Sequence, residues 1–352
     1  MRILIIKRGA LGDVVRTSYF AAALKKAHTT SVHITWLTAP TATPLLRFNP
    51  FIDRIATSFD ELKGQHYGHI YSLDDELETL QGLATLKTAR ITGAYLDGER
   101  PVYTADAAGW FDMGLLSRFG KERADQLKKE NRRGHAEIFC EIFGVEHVEP
   151  MFYGDPREEQ WAHEWLGTGY FTVAVNPFAG GRWPSKELRE GELRRLIPKL
   201  LEHDSPDGRP MRVVLLGAGP DRKRNLVLAE EIAFERLWVA ETDASPLRLA
   251  AVIGASDALI SSDSLALHLG IAQRVPFVAF FAPTSADEID TFGYGVKVVS
   301  TAQDYCSYKS DADNSTVTAD RLLEAFDELI GSQTRQACQR LREHTTGLLN
   351  HG

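Results

Sequence analysis

Short runs of aliphatic and β-branched residues recur along the chain, and each gives way to a longer stretch whose apolar positions repeat with helical spacing. Such alternation predicts the strands and helices of parallel-sheet α/β units. In the first half the pattern predicts strands at Ile3–Lys7, Val32–Leu37 and His69–Leu73, with a helix opening after Gly12 and running through Leu24. The rhythm restarts in the second half with strands at Phe171–Asn176, Arg212–Leu216, Leu237–Ala240, Ala258–Ser261 and Pro276–Phe281. Single cores stop growing at roughly 250 residues, so two Rossmann-like domains are expected rather than one very wide sheet. The division is placed at 1–165 and 166–330, with a helical tail over 331–352. The charged, tryptophan-rich stretch from Asp155 to Gly169, ending in Gly167-Thr168-Gly169, reads as the approach to a hinge. Ligands of such sheets sit beyond the carboxyl ends of the strands, so chemistry is sought in the loops that follow them.

Composition narrows the class without changing this picture. The 352 residues are 43% hydrophobic and 25% charged, which are globular values. With 40 Lys and Arg against 48 Asp and Glu the formal charge is −8, which argues against nucleic acid as a partner and leaves at most a peripheral membrane contact through a local patch. Cys140, Cys306 and Cys338 have no paired spacing, so neither a disulfide framework nor a zinc ribbon is expected, and a reducing cytoplasm fits. The opening Met1-Arg2-Ile3-Leu4-Ile5-Ile6-Lys7 reads as a strand rather than a signal peptide, and the longest apolar run, Val275–Pro283, is far shorter than the roughly 18 residues of a spanning helix.

Four loops carry residue types that suit chemistry. The first, Lys7 to Thr17, turns on Gly9 and Gly12 and places Asp13 at a helix start, where a carboxylate serves either as an N-cap or as a general base. The second, Asn176 to Lys186, combines Gly180 and Gly181 with Arg182 and Lys186: backbone N–H groups and cations of this kind suit a diphosphate, although a solvated basic loop has the same composition. The third, Gly217-Ala218-Gly219-Pro220-Asp221-Arg222, lacks the third glycine of a dinucleotide fingerprint and is equally a tight turn with Asp221 capping the helix. The fourth, Ser261 to Gly270, sets Asp263 and Ser264 at a helix start with His268 about one turn on, an anion site or an N-cap with a core histidine.

Several common readings are excluded by missing motifs. There is no Walker A sequence, no H-E-x-x-H, no paired C-x-x-C and no G-x-S-x-G elbow. Asp74-Asp75-Glu76 is expected to be a solvated loop, since neighbouring side chains point apart, and no metal site is assigned. From Arg118 to Arg133 seven basic residues stand against three acidic ones. This segment is either a solvated helix face or, through Lys128, Lys129, Arg132 and Arg133, a patch that attracts an anionic acceptor.

Taken together and in this order, the loops resemble those of glycosyltransferase family 9, the heptosyltransferases of lipopolysaccharide core assembly. The resemblance spans nearly the whole chain. It rests on M-R-I-L-I-I-K-x-x-x-L-G-D-V at the start, on Arg182-Trp183-Pro184-Ser185-Lys186, and on Asp263-Ser264 through His268 followed by Val275-Pro276 and Phe281-Ala282-Pro283-Thr284. Leu265 stands where that family usually has glycine. The resemblance implies a GT-B architecture, with two Rossmann-like domains facing each other across a cleft. It also implies inverting, metal-independent transfer of heptose from a nucleotide-diphosphate sugar such as ADP-heptose, as co-substrate, to a glycan, lipid-linked or small-molecule acceptor, with no cofactor. Asp13 would be the general base, with Gly12, Gly180, Gly181, Arg182, Lys186, Gly217, Asp221, Asp263, Ser264 and His268 around the donor. Transfer of another sugar to a small aglycone, and silent binding of a nucleotide sugar, are the alternatives.

Overall fold

The computed structural model describes residues 1–28, 31–181 and 183–331. In the first half the strands are β1 (Arg2–Ile6), β2 (His33–Leu37), β3 (Arg54–Ala56), β4 (His66–Tyr67), β5 (His69–Ser72), β6 (Lys87–Thr88), β7 (Ile91–Asp97) and β8 (Arg100–Tyr103). In the second they are β9 (Phe171–Asn176), β10 (Met211–Leu215), β11 (Leu237–Val239), β12 (Ala258–Ser262), β13 (Phe277–Phe281) and β14 (Gly295–Val299). All eight strands read from the apolar pattern are present within a residue or two of their expected ends. Their centres are buried on both faces, as in Ile3 to Ile6 of β1, which is why they read as unbroken aliphatic runs.

The main sheets run β3-β2-β1-β5-β7-β8 and β11-β10-β9-β12-β13-β14. Counting only their own strands, each has the Rossmann order 3-2-1-4-5-6. The second sheet is wholly parallel, whereas β8 lies antiparallel to β7 through a turn at Asp97 to Arg100, an edge hairpin that the all-parallel expectation lacked. In both halves the order reverses beside the first strand, between β1 and β5 and between β9 and β12. The crevice at that reversal is where such sheets hold ligands.

The two halves meet through helices Leu11–Ser18 and Leu265–Ala272, and one apolar cluster runs from Ile3, Ile5 and Trp36 to Leu259, Leu267 and Phe277. The outer face of each sheet has its own cluster. Gly12 makes the helix contact possible: a Cβ there would lie 2.4 Å from Cδ2 of His268. The stretch expected as a hinge approach is instead a helix, Pro156–Leu166, whose N-cap Asp155 accepts from the Arg157 N–H at 2.9 Å and whose Pro156 sets the first turn. It packs on helix Pro246–Gly254, with Arg248 paired to Glu158 at 2.7 Å and stacked over Trp161. By packing it goes with the second domain, although the division expected at 165 assigned most of it to the first. The expected tail lies outside the described residues from 332 onward. Among the described residues no helix is long and apolar enough to cross a membrane.

Candidate active site

β1 ends in a loop that delivers Lys7, and the following helix delivers Asp13 and Arg16 on one face because they are three residues apart. The cap of that helix is Ala10, without any side-chain cap bond, so Asp13 is not an N-cap. Its carboxylate instead meets Arg16 at 2.7 Å and Lys7 at 3.7 Å. Burial would raise the Asp13 pKa, but the Arg16 and Lys7 charges outweigh it and hold the carboxyl well below the usual carboxylate range. Lys7 is shared: its ammonium also lies 2.6 Å from Asp74, which in turn accepts from the backbone N–H of Arg8. Asp74 is 3% exposed, so the first acid of Asp74-Asp75-Glu76 is a buried brace for the loop and not the solvated residue expected. The apolar strand β5 carries it inward.

The second domain answers from four strand ends. Gly180 and Gly181 both adopt positive φ, +75° each, and the Gly180 N–H donates to Asp221 at 2.9 Å. Asp221 thus ties down the glycine loop; the cap of its helix is Gly219, contrary to the expected capping role. Gly217 packs its backbone so closely that a Cβ would lie 3.0 Å from Asn225 Nδ2 and from Asp221 Cβ. Arg182 lies outside the described residues. The Lys186 ammonium donates to Asp263 Oδ2 at 2.8 Å and to its carbonyl at 3.2 Å, while Thr284 Oγ1 donates to the same carboxylate at 2.7 Å. Asp263 therefore aims a cation and is itself unsuited to touching an anion. Burial raises its pKa, and Lys186 and its other neighbours more than reverse that, leaving it lowered.

Ser264 is the N-cap residue of helix Leu265–Ala272 but makes no side-chain cap bond, because its Oγ accepts from Asn176 Nδ2 at 3.0 Å instead. No side-chain cap bond is made at that helix start, and its first residues line the cavities, as an anion site requires. Leu265, at the position where a glycine was expected by resemblance, forms part of the wall there. His268 is 6% exposed and stays neutral: burial, then the Arg16 charge, pull its pKa down to about 4.

These residues line three cavities that share walls. A space of about 580 Å³ in the second domain is bounded by Phe178, Gly180, Gly217, Asp221, Thr242 and Leu249. A central one of about 230 Å³ brings Asp13, Arg16, Lys186, Asp263, His268 and Glu288 together. A third, of about 320 Å³, lies mainly in the first domain and is lined by Lys7, Asp74, Trp110, Lys128 and Tyr308 among others. Ser264 and Leu265 border the first two, and Asp13, Arg16 and Glu288 border the last two. Of the basic patch Lys128 lines the third of these cavities, with its ammonium 4.1 Å from the Tyr308 ring centre. Lys129 is exposed, Arg132 pairs with Asp287 at 3.3 Å and Arg133 is held by Glu137 and Glu141.

Arg16, Lys7, Glu288 and Tyr308 were not singled out from the sequence. Arg16 was findable, being one helical turn from Asp13. Glu288 and Tyr308 sit on loops of the second domain with no periodicity, and only the folding of the chain brings them to the site.

The fold and this cleft define the GT-B class, two Rossmann-like domains with a ligand crevice between them. Known structures bear this out. The chain matches the glycosyl transferase family 9 protein of Veillonella parvula DSM 2008 with a TM-score of 0.70 and 18% identity over 94% of this chain and 97% of that one. It matches E. coli ADP-heptose lps heptosyltransferase II with a TM-score of 0.64 and 15% identity over 95% and 99%. E. coli heptosyltransferase WaaC, solved with ADP, gives 0.61 and 16% over 95% and 99%. At such identities the likeness establishes the fold. No protein-family model matches the sequence, and no curated protein matches it.

Proposed function

We propose that the chain is an inverting glycosyltransferase of family 9 type, which moves a heptose from ADP-heptose to an acceptor hydroxyl in the cytoplasm. The carrying observation is that Asp13 from one domain, and Lys186 with the open end of helix Leu265–Ala272 from the other, line the same central cavity. Support comes also from the quoted motifs, and from neighbours whose structures hold ADP and ADP-2-deoxy-2-fluoro heptose.

In this reading the nucleoside occupies the larger second-domain cavity and the diphosphate lies against Lys186 and the helix N–H groups. The acceptor enters from the first-domain side. Asp13 takes the proton of the attacking hydroxyl as the new C–O bond forms. The bond from the anomeric carbon to the phosphate oxygen breaks on the other face, and its electron pair leaves with the diphosphate, which inverts the centre. Because Arg16 and Lys7 make Asp13 a weak base, the proton moves late, when the hydroxyl has become acidic through bonding to the sugar. Lys186 and helix N–H groups offset the growing charge of the leaving group, so turnover needs no divalent cation. Placement in lipopolysaccharide core assembly follows the family resemblance.

Thermal unfolding in the presence of ADP-heptose, ADP and UDP-GlcNAc tests the donor. A ligand at 100 times its Kd adds about 2.7 kcal/mol of stability. Stabilisation by ADP-heptose and not by UDP-GlcNAc is expected; the reverse overturns the assignment. Binding without glycosylated product on any acceptor would favour a silent nucleotide-sugar-binding protein.

A further inference from the structure

Glu288 lies in the loop between β13 and β14 and has no part in the chemistry above. It lines the central cavity together with Asp13 and Lys186, and it also lines the first-domain cavity. Two hydrogen bonds hold it there. Its Oε1 accepts from the Tyr308 hydroxyl at 2.8 Å, and its backbone carbonyl accepts from the His135 N–H of the first domain at 3.0 Å. Tyr308 is fixed in turn by the Ser285 N–H at 3.3 Å and by the Lys128 ammonium over its ring. Among the described residues no donor reaches Oε2. Glu288 is half-buried, with one carboxylate oxygen anchored and the other left free to accept from a ligand in the cavities it lines. Burial pushes the Glu288 pKa up, while Arg16 and Lys128 act against that shift.

Its position indicates what the ligand is. On the proposed glycosyl transfer, on which this inference rests, the reacting carbon must lie between the diphosphate at Lys186 and the base Asp13. The rest of the sugar ring then fills the space bordered by Glu288. Neighbouring hydroxyls of a sugar are donors at the spacing that a carboxylate accepts. We propose that Glu288 is a sugar-binding residue, whose carboxylate receives hydroxyl groups of the transferred sugar, with Tyr308 as its positioning residue.

Calorimetric titration with ADP and with ADP-heptose tests this on the full chain. Glu288→Gln keeps the size of the side chain and replaces one acceptor oxygen by a donor. It should bind ADP with the wild-type Kd, which also reports that the variant is folded, and bind ADP-heptose about tenfold to a hundredfold more weakly, the range for a hydrogen bond to a charged group. Tyr308→Phe, which frees the carboxylate without removing it, should show a smaller loss with the same selectivity for the sugar-bearing ligand. If Glu288→Gln fails to fold, Glu288→Asp, which withdraws the carboxylate by one methylene, should show the same selective loss. Wild-type affinity for ADP-heptose in the folded variant overturns the proposal alone. A wild-type protein that binds neither ligand overturns the donor assignment and this proposal with it.

Discussion

At the residue scale the central fact is that the ionisable groups near the cleft are set by burial and by one another's charges. Asp13 is kept ionised by Arg16 and Lys7, and Lys7 is itself kept charged, despite burial, by Asp74 and Asp13. If Asp13 removes the acceptor proton, Asp13→Asn should lower kcat by about 10² to 10⁴ while the ADP affinity measured by titration stays near wild type. A kcat close to wild type would leave Asp13 as only the partner of Arg16. His268 makes a separate prediction about pH. Its free value is about 6.5, and in the fold it is about 4. Between these values the unfolded chain takes up a proton that the folded chain refuses, so stability is full above pH 6.5 and falls as the pH drops toward 4. The loss from this group is on the order of 3 kcal/mol. His135, also buried and lowered by desolvation and Arg16, acts in the same direction. Urea midpoints measured from pH 7 to pH 4.5 should decline, and His268→Gln should flatten the decline.

At the scale of elements, the cleft depends on one helix presenting no side chain where a ring of the other meets it. Gly12 leaves room for the His268 ring, and a methyl group there would overlap it. Gly12→Ala should cost about 1–3 kcal/mol in urea unfolding, the usual range for overpacking, and should displace Asp13, its neighbour. In the double variant with His268→Ala much of that cost should return, since the two residues share one space. Additive losses would show that the helices do not press on each other there. The strands that escaped the apolar pattern have local reasons. β7 carries Gly93 at φ +109°, where a Cβ would lie 1.9 Å from the Ser72 carbonyl; a glycine inside a strand signals close backbone approach and breaks the apolar run. β14 opens on Gly295 against the Phe277 ring and holds a lysine, so it reads as loop. β3 is a three-residue edge strand, too short to show an alternation.

Across the whole molecule the domains are fastened on the side that bears Glu288. Helix His135–Phe143 of the first domain begins under the 287–290 loop of the second: the Ala136 N–H donates to Asp290 Oδ2 at 2.7 Å and Arg132 pairs with Asp287. Asp290 thus serves a helix start in the other domain, a helix whose own Gly134 makes no side-chain cap. Asp290→Ala should cost about 1 kcal/mol of stability and loosen the closure. A larger radius of gyration by solution scattering is expected, with a lower kcat and unchanged ADP affinity, because the cavity proposed for the nucleotide is built almost wholly from the second domain. Unchanged scattering and kcat would mean that the fastening contributes nothing.

The expected patch of Lys128, Lys129, Arg132 and Arg133 shows where reading along the chain stops. Charge density in sequence says nothing about which way each side chain turns, and three of the four turn to solvent or to carboxylates. The α/β class, the central strands, the restart of the pattern after residue 170 and the loops of Asp13, Lys186, Asp263 and His268 were all legible, because burial on both faces and tight turns impose local composition. The pairing of Lys7 with Asp74, the burial of Asp74, the task of Asp221 and the arrival of Glu288 and Tyr308 were not. Those were decided by the tertiary structure, since they depend on contacts between segments far apart in the chain, and such contacts leave no period in the sequence that either segment carries.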